Sequence, residues 1–363
     1  MPGLLRFGVM ADLHMDIMHD GARRVRAFLR AAREADVDFI ISLGDFLYPV
    51  KPEHSLCPWD KLPVNLRLAL QNPHEPRMSV LREFNQFEKP AYHVMGNHEM
   101  DFCPKETVLQ AYQSPGRYYA WSQNGWRLIV LDSSYYRENG QLKDYNQGAY
   151  FATDDLPYLS QEELDWLEKE LAAATEPVLL FSHQPLFHCP RGLRNVDDFQ
   201  RIIARANRPR QKVLLCLNGH IHIDGLQVED DVLYYTVNSI SNLWMGPKYA
   251  AKHYADSLHR QYPNLEFVAP YRTPLYAIVE VDDQGVRVTG KQGSFVPPTP
   301  MDLHWPGKAS PSIATLTDML ECLGSSLKEF FSDDSAEKVV YAPQDMFEKE
   351  EDDKKITWLV PDA

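Results

Sequence analysis

The chain has little cysteine and no long hydrophobic run, and we expect no secretory leader. Its 363 residues include only five cysteines, and none of them lies in a Cys-x-x-Cys pair. A disulfide framework and a cysteine-based zinc site are therefore not expected. No apolar stretch approaches the roughly 20 residues that a membrane-spanning helix needs, so we expect no membrane segment. Because the N-terminus lacks the basic and apolar regions of a signal peptide, we expect a cytoplasmic protein.

An excess of positive charge is also missing. The chain carries 37 Lys and Arg residues against 51 Asp and Glu residues, which gives a formal net charge of -14. Surfaces that bind nucleic acids are built on basic patches, so a nucleic-acid partner is not expected. Hydrophobic residues make up 44% of the chain, which is ordinary for a globular protein that buries a large core.

Five short polar motifs are present, and each of them follows a short apolar run. Such runs, when they end at Gly, Asn or Asp, are typical of buried strands. In an open α/β sheet, ligands bind at the carboxyl ends of the strands, so the motifs would bring two Asp, one Asn and five His to one rim. The motifs are Asp12-Leu13-His14, Gly44-Asp45, Gly96-Asn97-His98-Glu99, Ser182-His183 and Gly219-His220-Ile221-His222, after runs at 4–10, 37–43, 91–95, 178–181 and 213–217.

The residue types in these motifs suit a pair of divalent metal ions. Imidazole binds Zn, Fe, Mn and Co, while carboxylate and amide oxygens accept Mn and Fe. Two ions about 3.5–4 Å apart form a common clamp for displacement at phosphorus. In Asp12-x-His14 and His220-x-His222 the paired residues leave a strand end in similar directions, so each pair can reach one cluster.

In type, order and position after strands, the five motifs resemble those of the calcineurin-like metallophosphoesterase superfamily. The resemblance runs from Asp12 to His222, and the sheet pattern continues to about residue 292. It implies an α/β fold, a four-layer αββα sandwich in which two mixed β-sheets lie between helices. It also implies two divalent metal ions, which could be Mn, Fe, Zn or Co, and a metal-activated hydroxide that attacks phosphorus.

The resemblance further implies roles for the motif residues. His98 would bind no metal but would stabilise the transition state and protonate the leaving oxygen. Glu99, which the resemblance does not assign, is expected to be structural or to orient a neighbour. The other seven would be metal ligands: Asp12, His14 and His222 for the first ion, Asn97, His183 and His220 for the second, and Asp45 as the bridge.

One part of the pattern departs from the rest. The run from Gly44 to Tyr48 matches the Gly-Asp-x-x-Tyr of purple acid phosphatases, in which the tyrosine ligates ferric iron. Those enzymes usually carry Gly where this chain has His14. We therefore expect His14 to occupy that coordination position and Tyr48 not to be a ligand. The remaining pattern is closer to bacterial phosphodiesterases that act on cyclic nucleotides, glycerophosphodiesters and nucleoside diphosphates.

Polar residues in two loops near the predicted rim are candidates for substrate binding. His188, Arg191 and Arg194 follow His183, and Asn238 follows a later strand. An arginine can hold a phosphate through two parallel hydrogen bonds. The alternative is that these residues serve only packing or solvation.

The predicted elements divide the chain into a catalytic domain at 1–292 and a C-terminal extension at 293–363. The domain carries two insertions: an irregular, Pro-rich one at about 49–78, and an aromatic and basic one at about 243–272 that would form either a lid over a nucleobase or a small satellite core. The extension contains a predicted amphipathic helix at about 313–331, followed by an acidic tail. An exposed apolar face on that helix would favour a homodimer.

The predicted function is hydrolysis of a phosphodiester or pyrophosphate-type bond in a small molecule such as a nucleotide or a glycerophosphodiester. A phosphomonoesterase of the same superfamily is the first alternative, and a nuclease is disfavoured by the acidic charge. A catalytically silent interaction scaffold would have degenerate ligands or lack His98, and neither is the case. A metal-dependent sensor is a further non-enzyme alternative, which turnover of a substrate would exclude.

Overall fold

Strands that alternate with helices make up most of the structure. It is a computed structural model, and it describes residues 2–49, 58–62, 64–71, 76–146, 149, 153, 155–208, 210–283, 285–307, 309–312, 346–349 and 358–361. The helices are α1 (Gly21–Glu34), α2 (Val64–Gln71), α3 (Pro76–Asn85), α4 (Lys105–Tyr112), α5 (Gln161–Ala173), α6 (Val196–Ala206) and α7 (Asp256–Gln261). The strands are β1 (Leu5–Met10), β2 (Phe39–Ser42), β3 (Ala91–His93), β4 (Tyr119–Gln123), β5 (Trp126–Val130), β6 (Tyr135–Glu138), β7 (Gln141–Asp144), β8 (Val178–Phe181), β9 (Val213–Asn218), β10 (Gly225–Glu229), β11 (Val232–Thr236), β12 (Asn242–Trp244), β13 (Val268–Pro270), β14 (Ala277–Val281), β15 (Val286–Thr289), β16 (Met346–Lys349) and β17 (Trp358–Pro361).

Two mixed sheets form the centre of the molecule. The first has the order β15-β14-β1-β2-β3, and the second has the order β10-β11-β9-β8-β5-β4. Strands β1, β2 and β3 are parallel, as are β5, β8, β9 and β11, while the remaining strands of both sheets pair antiparallel. The five strands that precede the motifs are all in the parallel parts. Their carboxyl ends therefore lie along one edge of each sheet.

Alternating apolar side chains hold the sheets and helices in four layers. Phe7 and Phe181, one from each sheet, meet in the cluster between the sheets, with ring centroids 5.7 Å apart. Ile40 points the other way and packs in a second cluster with Phe28 of α1, while Leu180 belongs to a third cluster with residues of α5 and α6. Both faces of the central strands are thus buried, which explains their continuous apolar runs. The predicted αββα sandwich is confirmed.

Several turns and helix starts have a local cause in the sequence. The Asn124-Gly125 turn joins β4 to β5, and both turn residues have positive φ, at 53° and 82°. Ser160 caps α5 through its side chain, which accepts a hydrogen bond from the Glu163 amide at 3.1 Å. Helix α3 begins at Pro76, at a position where a helix tolerates proline.

The first insertion is not irregular throughout, which corrects the prediction for 49–78. A 3₁₀ turn at Trp59–Lys61 and the helix α2 lie within it, and Leu66 of α2 is buried in the cluster that includes α1 and α3. The many prolines concealed this helix, because they fall on either side of it and not inside it. The insertion therefore contributes to the outer helical layer.

The second insertion has the form of a small satellite core. Strands β12 and β13 pair antiparallel, and the segment between them carries α7. Leu265 and Val268 pack with Ile17 and Met18 of the loop that follows β1. The satellite-core alternative is therefore the one that the contacts support, and they join this insertion to the loop that carries His14.

The first part of the extension packs on the domain. The Asn238 side-chain amide donates hydrogen bonds to the carbonyl oxygens of Ser310 and Ser312, at 2.9 and 3.1 Å. Within the region predicted as an acidic tail, β16 pairs with β17. The predicted helix at 313–331 lies outside the described residues, and the boundary after residue 292 stays a prediction. Among the residues that are described, no helix combines the length and apolar character of a membrane span.

Candidate metal centre

The structure brings the motif residues of both sheets together at one edge. Asp45, which follows β2 of the first sheet, places its Oδ2 3.1 Å from Nε2 of His183, which follows β8 of the second sheet. The two sheets therefore contribute to one site. Six of the seven proposed ligands form two clusters of ligand atoms, each within 4.8 Å: Asp12, His14 and His222 in one, and Asp45, His183 and His220 in the other.

The first cluster is formed by Asp12, His14 and His222. Nε2 of His222 lies 3.3 Å from Asp12 Oδ1 and 3.0 Å from Nε2 of His14. Nδ1 of His222 donates to the carbonyl oxygen of Asn242 at 2.9 Å, so the lone pair on Nε2 faces the cluster. Burial lowers the pKa of His14 well below its usual value. The low pKa favours the neutral imidazole of His14, which is the form that binds a metal.

The second cluster shares a carboxylate with the first. Asp45 Oδ2 lies 3.6 Å from His14 Nε2 in the first cluster and 3.1 Å from His183 Nε2 in the second. Nδ1 of His220 is 3.2 Å from His183 Nε2, and Nδ1 of His183 donates to the carbonyl oxygen of Leu43 at 2.7 Å. Burial would raise the pKa of Asp45, but His183 and His98 hold it well below its usual value. A charged carboxylate thus lies between the two clusters.

Backbone strain is concentrated at these residues. A positive φ is uncommon outside glycine and costs free energy that a functional site can retain. Other non-glycine residues with positive φ, such as Asn124 and Asn139, lie in turns. The strained ligands are Asp12 (52°), His14 (45°), Asp45 (54°), His220 (68°) and His222 (56°).

The glycines of three motifs are required by close packing. A Cβ on Gly44, whose φ is 99°, would lie 2.6 Å from His183 Nδ1. A Cβ on Gly219 would lie 2.7 Å from Asp12 Oδ2, and one on Gly96 would overlap the Asp45 carboxylate. Real Cβ atoms do not approach neighbours this closely, so each glycine allows the ligands to converge.

Asn97 is the ligand predicted from the third motif. It is buried beside the second cluster, since the next residue, His98, donates its amide to Asp45 Oδ1 at 2.9 Å. The side-chain amide of Gln184 donates to Asn97 Oδ1 at 3.2 Å, and Gln184 in turn hydrogen-bonds to Ser133. An oxygen in this position suits a divalent ion, and Gln184 fixes its orientation.

His98 has a carboxylate partner that the motif pattern did not reveal. Its Nδ1 lies 2.7 Å from Asp101 Oδ2, and both residues belong to the 3₁₀ turn His98–Asp101. Burial alone would lower the pKa of His98, but Asp101 and Asp45 outweigh it and raise that pKa to about 10. Bound cations would lower it again. The turn geometry leaves Nε2 as the atom that can deliver a proton.

Two buried carboxylates hold the loop that follows Asp45. Glu99 accepts the backbone amide of Phe46 at 2.7 Å, and Asp16 accepts the backbone amide of Tyr48 at 2.6 Å. Asp16 also forms a buried ion pair with Arg77 of α3. Burial raises the pKa of Tyr48 well above its usual value, so its phenol stays protonated. That Tyr48 is not a metal ligand stays a prediction.

The substrate-binding candidates lie in different surroundings. Asn238 is fully buried, and its amide oxygen accepts the Tyr271 hydroxyl at 2.9 Å while its nitrogen donates to the extension. His188 is exposed and lies between the carboxylates of Asp197 and Glu229, at 2.8 and 3.2 Å. Neither side chain is directed at the clusters by these contacts.

Arg191 and Arg194 are both exposed but face different neighbours. The charge of Arg191 acts on His220, where it helps burial and His183 to lower the imidazole pKa. The charge of Arg194 acts on Tyr158, whose pKa burial and Asp155 raise to about 12. Of the two arginines, Arg191 is therefore the one whose charge acts on the second cluster.

Comparison with known proteins agrees with this site. The sequence matches the family model for calcineurin-like phosphoesterases over residues 5–224. A manganese-dependent ADP-ribose/CDP-alcohol diphosphatase of Arabidopsis thaliana is 24% identical over 287 residues, which are 64% of this chain and 84% of that protein. A 3′,5′-cyclic adenosine monophosphate phosphodiesterase of Escherichia coli K12 is 29% identical over 147 residues, or 38% of this chain and 44% of that protein. A dimetal phosphatase of known structure from Danio rerio shares the fold, with a TM-score of 0.55, 16% identity, and coverage of 80% of this chain and 98% of that one.

The family match covers more than half of the chain, which therefore belongs to the calcineurin-like phosphoesterase family. The protein is a metal-dependent phosphoester hydrolase that uses divalent ions, as the sequence predicted, and two clusters of ligand atoms are present to hold them. The scaffold alternative is not favoured, because the proposed ligands and His98 are intact and converge.

Proposed function

We propose that this calcineurin-like phosphoesterase hydrolyses a phosphodiester or pyrophosphate bond in a small nucleotide-type or glycerophosphodiester-type molecule. The observation that carries the proposal is the Asp45 carboxylate, which contacts both ligand clusters at the edge where the two sheets end. Two relatives act on ADP-ribose, CDP-alcohols or cyclic AMP according to their names. In each of these substrates the phosphorus atom is linked to two organic or phosphate groups. The substrates of the relatives therefore favour a diester or diphosphate, and not a monoester, as the substrate of this protein.

Seven residues are proposed to hold two divalent ions, and the donor set fits them. Carboxylate, amide and imidazole ligands together accept Mn, Fe, Zn or Co. When bound, such ions polarise the phosphoryl group and lower the pKa of a water toward neutrality. The proposed ligands are Asp12, His14 and His222 for one ion, Asn97, His183 and His220 for the other, and Asp45 for both.

His98 is proposed as the general acid. Its hydrogen bond to Asp101 fixes the ring and favours the protonated form, so Nε2 can give a proton to the leaving oxygen. Because a phosphodiester expels an alkoxide, a proton donor matters most when the leaving group is a weak acid.

Arg191 is proposed to bind a non-bridging phosphate oxygen of the substrate. Its charge already acts on His220, which lies in the second cluster. Replacing Arg191 with Gln should raise the KM by roughly tenfold or more, the loss expected for a hydrogen bond to a charged group. The matched control is Arg201→Gln, which removes an exposed arginine of α6 that pairs with Asp198. Equal KM values for Arg191→Gln and the control would contradict this role.

We also propose a cytoplasmic location and no nucleic-acid partner. Cys103, Cys189 and Cys216 are free thiols, as in a reducing compartment, and the net charge of -14 opposes binding to a polyanion.

A homodimer remains a proposal that rests on 313–331, outside the described residues. Sedimentation equilibrium tests the dimer, because a monomer mass that does not change with concentration would contradict it. Cell fractionation tests the cytoplasmic location.

The proposed activity is tested by a substrate comparison on metal-stripped protein restored with Mn, Fe, Zn or Co. Bis(p-nitrophenyl) phosphate, p-nitrophenyl phosphate, ADP-ribose and cyclic AMP are compared by kcat/KM. The proposal predicts that the diester is cleaved faster than the monoester and that at least one nucleotide substrate is cleaved faster still. Faster cleavage of the monoester would contradict it and favour the phosphomonoesterase.

A further inference from the structure

A second cavity, of about 300 Å³, lies outside the two ligand clusters. It is formed by the loop before α1, the first turn of α1 and the segment that follows β13. Its volume is at the lower end of the range for small-molecule sites. Four basic side chains line it, and they are His19, Arg23, Arg24 and Arg272.

Positive charge exceeds negative charge in this cavity. Asp20 is the one acidic side chain in the described lining, and it accepts hydrogen bonds from Arg24 Nε at 2.7 Å and Arg23 Nη2 at 2.5 Å. Arg272 has no ion-pair partner among the residues that the structure describes. The lining therefore carries three guanidinium groups against one carboxylate.

The cavity is built from fixed groups. Arg24 is fully buried, and its guanidinium donates to the carbonyl oxygens of Ile240 and Tyr271 at 3.1 and 2.5 Å. Nδ1 of His19 is buried without a hydrogen-bond partner among the described residues, and the ring packs edge-on against Tyr254 at 4.6 Å. The ring therefore forms part of the cavity wall.

The cavity is also linked to the metal centre. Tyr271 lines the cavity, and its hydroxyl hydrogen-bonds to Asn238 at 2.9 Å and contacts the carbonyl oxygen of His222 at 3.4 Å. The loop from His14 to His19 runs from the first cluster to the cavity wall. Tyr271 thus forms one side of the cavity and also contacts the backbone of His222, a proposed metal ligand.

We propose that this cavity binds a phosphate group of a small molecule, with Arg272 and Arg23 as the charged donors. Guanidinium forks match phosphate oxygens through parallel hydrogen bonds, and Arg272 supplies a charge that no carboxylate offsets. Helix α1 begins at Gly21 beside these side chains, so the partial positive charge at its N-terminus adds to the charge of the arginines. The phosphate belongs either to the far end of the substrate or to a separate ligand.

Binding of radiolabelled inorganic phosphate to the manganese-loaded full-length protein tests the proposal by equilibrium dialysis. The double variant Arg23→Gln/Arg272→Gln should bind one phosphate fewer per chain than the wild type. Arg260→Gln, which changes an exposed arginine of α7 outside the cavity, should bind as the wild type does. Equal phosphate binding by the double variant and the wild type, with equal manganese content and melting temperature, would overturn the cavity site.

Two further arms separate this site from the metal centre and identify the source of the phosphate. Asp45→Asn should keep the cavity phosphate even where it loses the one at the metal centre, and loss of all bound phosphate in that variant would overturn a separate site. If the double variant raises the KM for ADP-ribose at least tenfold more than the KM for bis(p-nitrophenyl) phosphate, the phosphate is the far end of the substrate. If the double variant loses phosphate binding but changes both KM values by the same factor, the phosphate belongs to a separate ligand.

Discussion

At the scale of single residues, the Asp45 carboxylate has the largest expected effect. Its Oδ2 contacts a histidine of each cluster, so Asp45→Asn removes the charge that both proposed ions share. Inductively coupled plasma mass spectrometry should find that the variant has lost most of both ions, whereas Asp256→Asn, at an exposed position of α7, should keep them. Two fully occupied sites in Asp45→Asn would refute the bridging role.

His98 should affect turnover and not metal binding. His98→Ala is expected to lower kcat by roughly 10²–10⁴-fold with both metals retained, as for the loss of a general acid. Asp101→Asn keeps a side chain of the same shape but removes the charge that holds His98 protonated, so a smaller loss of about 10–100-fold is expected. Both losses should shrink for substrates with acidic leaving groups. A loss independent of the leaving group would show a positioning role instead.

The sequence identifies the proposed ligand residues because each one lies in a short motif behind an apolar run. Asp101 lies outside these motifs, and its contact with His98 depends on the 3₁₀ turn that begins at His98. Residues three apart on a helical turn share one face, so the spacing was visible, but the turn itself was not. Asp16 and Arg77 are separated by 61 residues, and nothing local in the sequence pairs them.

At the scale of elements, the turn after β3 depends on Gly96. A Cβ there would overlap the Asp45 carboxylate and come within 2.8 Å of its Cγ. Gly96→Ala should cost about 1–3 kcal/mol of unfolding free energy, as overpacking does, and should reduce bound manganese. Gly225→Ala in β10 is the control, because a Cβ there meets no atom within 4 Å. Equal free energies of unfolding and equal manganese contents in the two variants would contradict the requirement for glycine at this turn.

The packing of α3 against the site depends on the buried pair of Arg77 and Asp16. Arg77→Met would leave the Asp16 carboxylate buried without this partner, and breaking a buried pair costs about 3–5 kcal/mol. Arg26→Met removes the exposed pair with Glu83 and should cost at most about 1 kcal/mol. Urea unfolding compares the two variants, and similar losses would show that the buried pair does not hold α3.

Elements were easiest to predict where one signal dominated. The β4–β5 hairpin follows from Asn124-Gly125, and the same signal at Asn139-Gly140 joins β6 to β7, a hairpin that the sequence analysis did not identify. Helix α2 was missed because prolines on both sides suggested an irregular segment. In such cases the tertiary packing of one apolar face, and not local composition, decides the structure.

At the scale of the whole molecule, the two sheets must be held in a fixed relation for the site to exist. The buried cluster between them includes Phe7 and Phe39 of one sheet and Phe181 of the other. Each sheet contributes ligands from its parallel strands only, so the motifs predicted the rim on which they meet. The sequence could not predict the distances across that rim, because they depend on how the two sheets pack.

The central claim is that two metal ions together make the protein a phosphodiester hydrolase. Its most direct test is a titration of the metal-stripped full-length protein with manganese, following both bound metal and hydrolysis of bis(p-nitrophenyl) phosphate. The two clusters and the shared Asp45 predict that activity reaches its plateau only near two bound ions per chain. Full activity at one bound ion, or activity without metal, would contradict the account.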